Sequence, residues 1–145
     1  MRDEPIELAA ALAGFDQLWS PRIVTKVNDY DVRIAKVAGE HVWHTHDHTD
    51  EFFLVLDGEL RIALRDGADE REVVLPPGAV FVVPRGVEHR PSSARGASIL
   101  MFEPRHVQCR GPARAGPRPR GRHHRARPLT VSAPPGPAPP GPAGR

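Results

Sequence analysis

Residues 41–51 read HVWHTHDHTDE and hold four of the chain's eight histidines, followed by two carboxylates. His44, His46 and His48 alternate with Thr45 and Asp47. On an extended strand such residues share one face. Neutral imidazoles beside a carboxylate make a donor set for a divalent transition metal. Residues 47–50, DHTD, are turn formers, and a turn there folds Glu51 back beside His44 and His46. In an unbroken strand His46 and Glu51 would point to opposite faces, and the turn removes that objection. A fourth donor must come from elsewhere. His89, in PRGVEHRP (84–91), offers one just after a Pro-Gly turn. His44, His46, Glu51 and His89 are therefore expected to hold one divalent transition metal ion. Softness alone leaves Fe, Mn, Ni, Zn and Cu open. His48 is expected in the turn, either solvated or partnering a ligand, Asp47 and Asp50 are turn residues, and His41 lies at the surface.

Four protein donors leave two positions open on a six-coordinate metal. Water, dioxygen or a bidentate substrate can take them, and the metal then serves as a Lewis acid or activates oxygen. No Ser-His-Asp set, separate acid–base pair or phosphate loop is apparent, so no catalytic residue is named. Arg85 and Arg90 flank His89 and are the nearest basic candidates for the pocket, with exposed charges as their plainer role.

Strands are needed to carry these side chains. RIVTKV (22–27), YDVRIAKV (30–37), EFFLVL (51–56), ELRIAL (59–64), REVVL (71–75), AVFVV (79–83) and ASILMF (97–102) read as strands. Asp57-Gly58, Asp66-Gly67, Pro76-Pro77-Gly78 and Pro84-Arg85-Gly86 separate several of them as turns. Residues 6–19 read as a short amphipathic helix with Ile6, Leu8, Ala9, Leu12 and Phe15 on one side, ended by Pro21. Many short strands with little helix indicate an all-β sandwich or barrel. Closing into a barrel removes exposed edges. Phe53, Val55, Phe81 and Val83 are expected to line it. Trp43 should point away from His44 and help bury an interface between subunits.

The formal charge of +2 hides a strong asymmetry. Residues 1–103 hold 11 Lys and Arg against 18 Asp and Glu, whereas residues 104–145 hold 9 Arg and no acid. An acidic domain is a poor nucleic-acid binder. The single cysteine, Cys109, cannot form a disulfide within the chain, which suits a reducing cytoplasm. The acidic N-terminus lacks a secretory pattern, and no stretch approaches a membrane-spanning length of roughly 20 apolar residues. The 42 residues of 104–145 include 11 Pro, 9 Arg, 6 Gly and 6 Ala. Such a segment buries too little apolar surface to offset chain entropy, so it is read as a disordered, solvated tail rather than an Arg-rich arm for a partner.

The histidine and glutamate spacings resemble the cupin superfamily of small jelly-roll β-barrels. The family's first motif, G-x5-H-x-H-x3–4-E-x6-G, is matched by Gly39, His44, His46, Glu51 and Gly58, one residue short at the start. Its second motif, G-x5-P-x-G-x2-H-x3-N, is matched by Gly78, Pro84, Gly86 and His89, with Ser93 in the Asn position. The resemblance implies a cupin domain over residues 1–104, the same four metal ligands and a homodimer whose N-terminal strands pack across subunits. It also implies a small-molecule ligand or substrate. Oxygenase, isomerase and lyase chemistry on a small oxygen-rich molecule all occur on this fold, which does not choose among them. A non-catalytic metal-binding or sensor protein is the alternative, and an inactive truncated cupin is a third.

The third reading arises because such proteins continue after the last strand with a Gly-Thr-x-Asn-x-Gly-like stretch. Pro, Gly, Ala and Arg codons begin with two G or C bases, so a shifted frame in GC-rich DNA would yield the composition of residues 105–145. Residues 105–110, written CGG CAC GTC CAA TGC CGG before a Gly codon, become Gly-Thr-Ser-Asn-Ala-Gly when read one base later. Sequencing the source gene tests this reading: a one-base slip near this point would support it. An uninterrupted frame kept in independent isolates would contradict it.

Overall fold

The computed structural model describes residues 4–105 and Gly111. The disordered or frame-shifted reading of residues 105–145 lies outside the described residues, apart from Arg105 and Gly111. One short helix, α1 (Leu8–Ala13), precedes seven strands. These are β1 (Arg22–Val27), β2 (Tyr30–Glu40), β3 (Glu51–Gly58), β4 (Leu60–Asp66), β5 (Asp69–Leu75), β6 (Val80–Val83) and β7 (Glu88–Pro104). All pair antiparallel, in the order β1-β2-β7-β3-β6, with β4 joining β5 and β7. The architecture is the expected small jelly-roll β-barrel.

β7 is the spine. Its first residues, Glu88 to Ser92, pair with β4. Its later residues, Ala97 to Phe102, lie between β2 and β3 and pair with both. It is far longer than the 97–102 segment that the sequence pattern predicts. Pro91 and Gly96 both fall within the strand, and Pro91 pairs with Ile62. The barrel interior is filled by Phe53, Val55, Leu60, Ile62, Leu75, Val83 and Ile99, all nearly inaccessible to solvent. Phe81 packs against this cluster but is only partly buried.

The N-terminal expectation needs correction. The helix does not run over residues 6–19: it spans six residues, ends at Gly14 and buries none of its side chains. A helix this short has little intrinsic stability, and tertiary contacts claim the residues beyond it. Phe15 is buried, with the Arg22 guanidinium 4.6 Å and the Lys36 ammonium 5.3 Å from its ring centre. Lys36 donates to the Phe15 carbonyl at 2.7 Å. Trp19 donates its backbone N–H to the Lys36 carbonyl and its Nε1–H to the Ala38 carbonyl, both at 2.9 Å. The chain after α1 is thus a strap laid along β2.

The β3–β4 turn has one glycine that no other residue can replace comfortably. Gly58 has φ +77°, and a Cβ there would collide with the Gly96 carbonyl and stand 2.8 Å from Ala97 Cα. Beside it, Ser93 is fully buried and donates to the Glu59 carbonyl at 2.7 Å, so the hydroxyl secures the same junction. Left-handed backbone in a residue with Cβ is strained by roughly 1–3 kcal/mol, before the collision is counted. Gly58→Ala should lower the unfolding free energy in urea titrations by about 2 kcal/mol or more. A loss below about 0.5 kcal/mol, the scale of an ordinary surface change, would contradict this account of the turn.

Candidate metal centre

His44 and His46 lie beyond the end of β2, not within it. An isolated bridge holds this segment. His44 N–H donates to the His89 carbonyl at 3.0 Å, and His89 N–H donates to the His44 carbonyl at 2.9 Å. Gly86 N–H donates to the His46 carbonyl at 2.7 Å. The two motif segments are therefore stitched backbone to backbone. Asp50 adds a side-chain stitch by accepting from the Arg85 backbone N–H at 2.9 Å and from its Nε at 3.3 Å. That first hydrogen bond is the main reason the exposed Asp50 carboxyl is held below its ordinary value.

The expected turn carries Glu51 back to the start of β3, and its carboxylate meets all three imidazoles. Glu51 Oε2 is 2.6 Å from His89 Nε2, 3.0 Å from His46 Nε2 and 3.8 Å from His44 Nε2. One donor atom from each of the four residues lies within 4.8 Å of the others, and all four residues are buried. His44 Nδ1 lies 2.9 Å from the Val42 carbonyl, and His89 Nδ1 lies 3.0 Å from the Val87 carbonyl. A carbonyl can only accept, so Nδ1 carries the proton in both rings. Nε2 then presents its lone pair towards the cluster. The donor set and its orientation fit a divalent transition metal.

Charge alone makes the arrangement demanding. Burial is the largest influence on Glu51 and acts to raise its pKa, but in the metal-free chain, once Nε2 is protonated as well, hydrogen bonds from His44, His46 and His89 prevail. Its carboxyl is held well below the ordinary value of 4.5.

His44, His46 and Glu51 line a cavity of about 250 Å³, and His89, clustered with them, is fully buried. Ala35, Val37, Phe53, Ile99 and Met101 form much of its apolar wall, with Trp19 and Pro91 also contributing. His41 is not the plain surface residue expected. It lines the cavity, stacks on Trp19 at 4.7 Å and meets His44 edge-on at 5.3 Å. Burial first, and then His44, lowers its imidazole below the usual 6.5. His48 and Asp47 are exposed in the turn.

Arg85 and Arg90 do not reach the cavity. Arg85 holds Asp50, and Arg90 pairs with Glu40 at 3.3 Å. The Trp43 ring is faced by Arg65 at 3.7 Å and by Arg90 at 5.1 Å. The basic residue in the cavity wall is instead Arg33, beside Glu103. Sequence reading missed both. Burial first and Glu51 second push the Glu103 carboxyl above its ordinary range, while Arg33 draws it back.

Known proteins are similar to this chain. The family described as "Cupin domain" matches residues 30–102. A cupin-2 domain containing protein from Shewanella frigidimarina is 42% identical in its crystal structure, with a TM-score of 0.65 over 69% of this chain and 94% of that one. The "Uncharacterized protein YdbB" of Bacillus subtilis is 41% identical over 70 residues, covering 48% of this chain and 59% of that protein. A 3-hydroxyanthranilate 3,4-dioxygenase of Xanthomonas euvesicatoria is 31% identical over 102 residues, covering 68% of this chain and 58% of the enzyme. The chain thus spans under two thirds of the length of these two relatives.

The depressed Glu51 pKa has a measurable sign. A carboxyl whose pKa is lower folded than unfolded contributes stability above the unfolded value, and loses it as pH falls through the folded one. Metal-free protein should therefore lose urea stability below about pH 4.5 more steeply than Glu51→Gln does. Parallel acid limbs for the two proteins would contradict the assignment.

Proposed function

This chain belongs to the cupin family, and from that premise we propose that it is a metal-dependent enzyme acting on a small oxygen-rich molecule. The observation that carries the reading is the convergence of His44, His46, Glu51 and His89 at one end of a cavity. Those four side chains would hold one divalent ion of Fe, Mn, Ni, Zn or Cu. Such an ion supplies Lewis acidity, and redox chemistry if it is iron, manganese, nickel or copper. The chain's own groups do the rest. The Val42 and Val87 carbonyls fix the tautomers of His44 and His89. The apolar wall of Phe53, Ile99 and Met101 limits water and orients a ligand. A cavity of about 250 Å³ suits one ring or a short chain; an apolar cavity of about 150 Å³ admits benzene.

Similarity to 3-hydroxyanthranilate 3,4-dioxygenases supports oxygenation among the reactions this fold performs. Among the described residues no helix is long and apolar enough to cross a membrane. Exposed Ile23 and Val27 on the edge strand β1 support a homodimer built through the N-terminal strands.

Elemental mass spectrometry on protein purified without a metal-affinity tag tests the reading. The parent should carry close to one transition metal ion per chain. His44→Ala and His89→Ala should each lose at least about tenfold in metal affinity, since even residues that merely support a ligand cost 10–100-fold. A folded parent that takes up no metal after reconstitution would contradict it.

A further inference from the structure

The cavity wall carries a second group of charges that the metal reading does not use. On β2, Asp31, Arg33, Ala35 and Val37 share one face of the sheet, and their partners on β7, Ile99, Met101 and Glu103, lie on that same face. Asp31 is directly opposite Glu103, and Arg33 is opposite Met101. Arg33 bonds Asp31 at 3.0 Å and Glu103 at 3.4 Å. On the other side of β7, the pairs Phe52–Phe102 and Phe53–Met101 carry the register on to Glu51 beside Glu103. Glu103 therefore stands between the Glu51 cluster and Arg33, and it lines the cavity with them.

This group is poorly explained by stability. Asp31 and Glu103 are buried, and like charges directly opposite on paired strands repel. Asp31 Oδ1 and Arg33 Nε are buried without a hydrogen-bond partner. Apolar residues of similar volume would hold the strands together at least as well. Arg33 and Glu103 set opposite charges into the cavity wall, and charged groups kept in such a wall at a cost in stability point to a ligand.

The balance of charge says which ligand. Arg33 is the single Lys or Arg side chain lining the cavity among the described residues, and two carboxylates already share it. A second anionic group on a ligand would find no free cation and would face Glu103. A hydroxyl or amine would find an acceptor.

We propose that Glu103, held by Arg33, is a specificity-determining residue that accepts a hydrogen bond from a hydroxyl or amino group of the substrate and rejects doubly anionic molecules. The inference rests on the reading that the same cavity presents a metal to its ligand. The substrate is thus neutral or singly anionic, with one oxygen group for the metal and a protic group beside Glu103.

Calorimetric titration of the Zn(II)-loaded protein tests this with matched probes. 3-(Hydroxymethyl)benzoate and isophthalate each carry one carboxylate for the metal and differ in the second substituent. The 4-substituted pair, 4-(hydroxymethyl)benzoate and terephthalate, covers the other spacing. The parent should favour the alcohol of at least one pair by at least about tenfold, the scale of one unscreened charge contact near a surface. Glu103→Gln should narrow that gap by binding the diacid better, and Arg33→Gln should widen it, with zinc content unchanged in both. A metal-loaded parent that binds alcohol and diacid equally would overturn this inference and leave the metal reading standing. So would a gap that Glu103→Gln leaves unchanged. A zinc-loaded parent that binds none of the four probes would likewise overturn this inference alone, and a parent that takes up no zinc would overturn both.

Discussion

One buried carboxylate governs this molecule. Glu51 lies inside the barrel, within 2.6–3.8 Å of three imidazole nitrogens. An ionised carboxylate in such a place is tolerated only when it is paired and hydrogen-bonded. Every nearby structural feature serves that requirement. The reciprocal bridge between His44 and His89 sets two of the rings, and the turn before β3 brings the carboxylate to them. The Asp50–Arg85 contact ties that turn to the loop carrying His89. A dication at this point would meet the carboxylate's charge and three lone pairs together, which imidazolium protons could do only in acid.

The long strand β7 turns this local cluster into a pocket. By pairing with β2, β3 and β4 it places the metal-type donors, the apolar wall and the Arg33–Glu103 pair around one space. The junction at its bend is tight enough to demand glycine at position 58 and is tied by the Ser93 hydroxyl. Stability and function are divided along the barrel. Leu60, Ile62, Leu75 and Val55 supply apolar burial, whereas the cavity end keeps charges that a purely structural core would avoid.

Much of this was legible in the residues. The spacing of His44, His46 and Glu51, with His89 after a Pro-Gly turn, is local enough for turn chemistry to place it. Short runs rich in Val, Ile and Phe, cut by turn residues, located all seven strands, although not their ends. The failures have physical causes. Pro91 and Gly96 are accommodated within β7, so the strand is longer than its 97–102 run. The helix over residues 6–19 follows an apolar period that Gly14 ends and that the burial of Phe15 overrides. Arg33 was missed because β2 invites the wrong face. Tyr30, Val32 and Ile34 look like the inward set, yet the row of Asp31, Arg33, Ala35 and Val37 turns to the cavity side. Buried Ala35 and Val37 on that row were the available signal. His41 was missed for want of any local sign that the Trp19 strap would lie across it.

The central claim is that three imidazoles and one carboxylate bind a single metal at the end of the cavity. Diffraction from metal-loaded crystals, recorded on both sides of the metal's absorption edge, tests it most directly. The account predicts one anomalous peak per chain, within bonding distance of His44 Nε2, His46 Nε2, His89 Nε2 and a Glu51 carboxylate oxygen. A peak elsewhere on the chain, or none in crystals grown with excess metal, would contradict it.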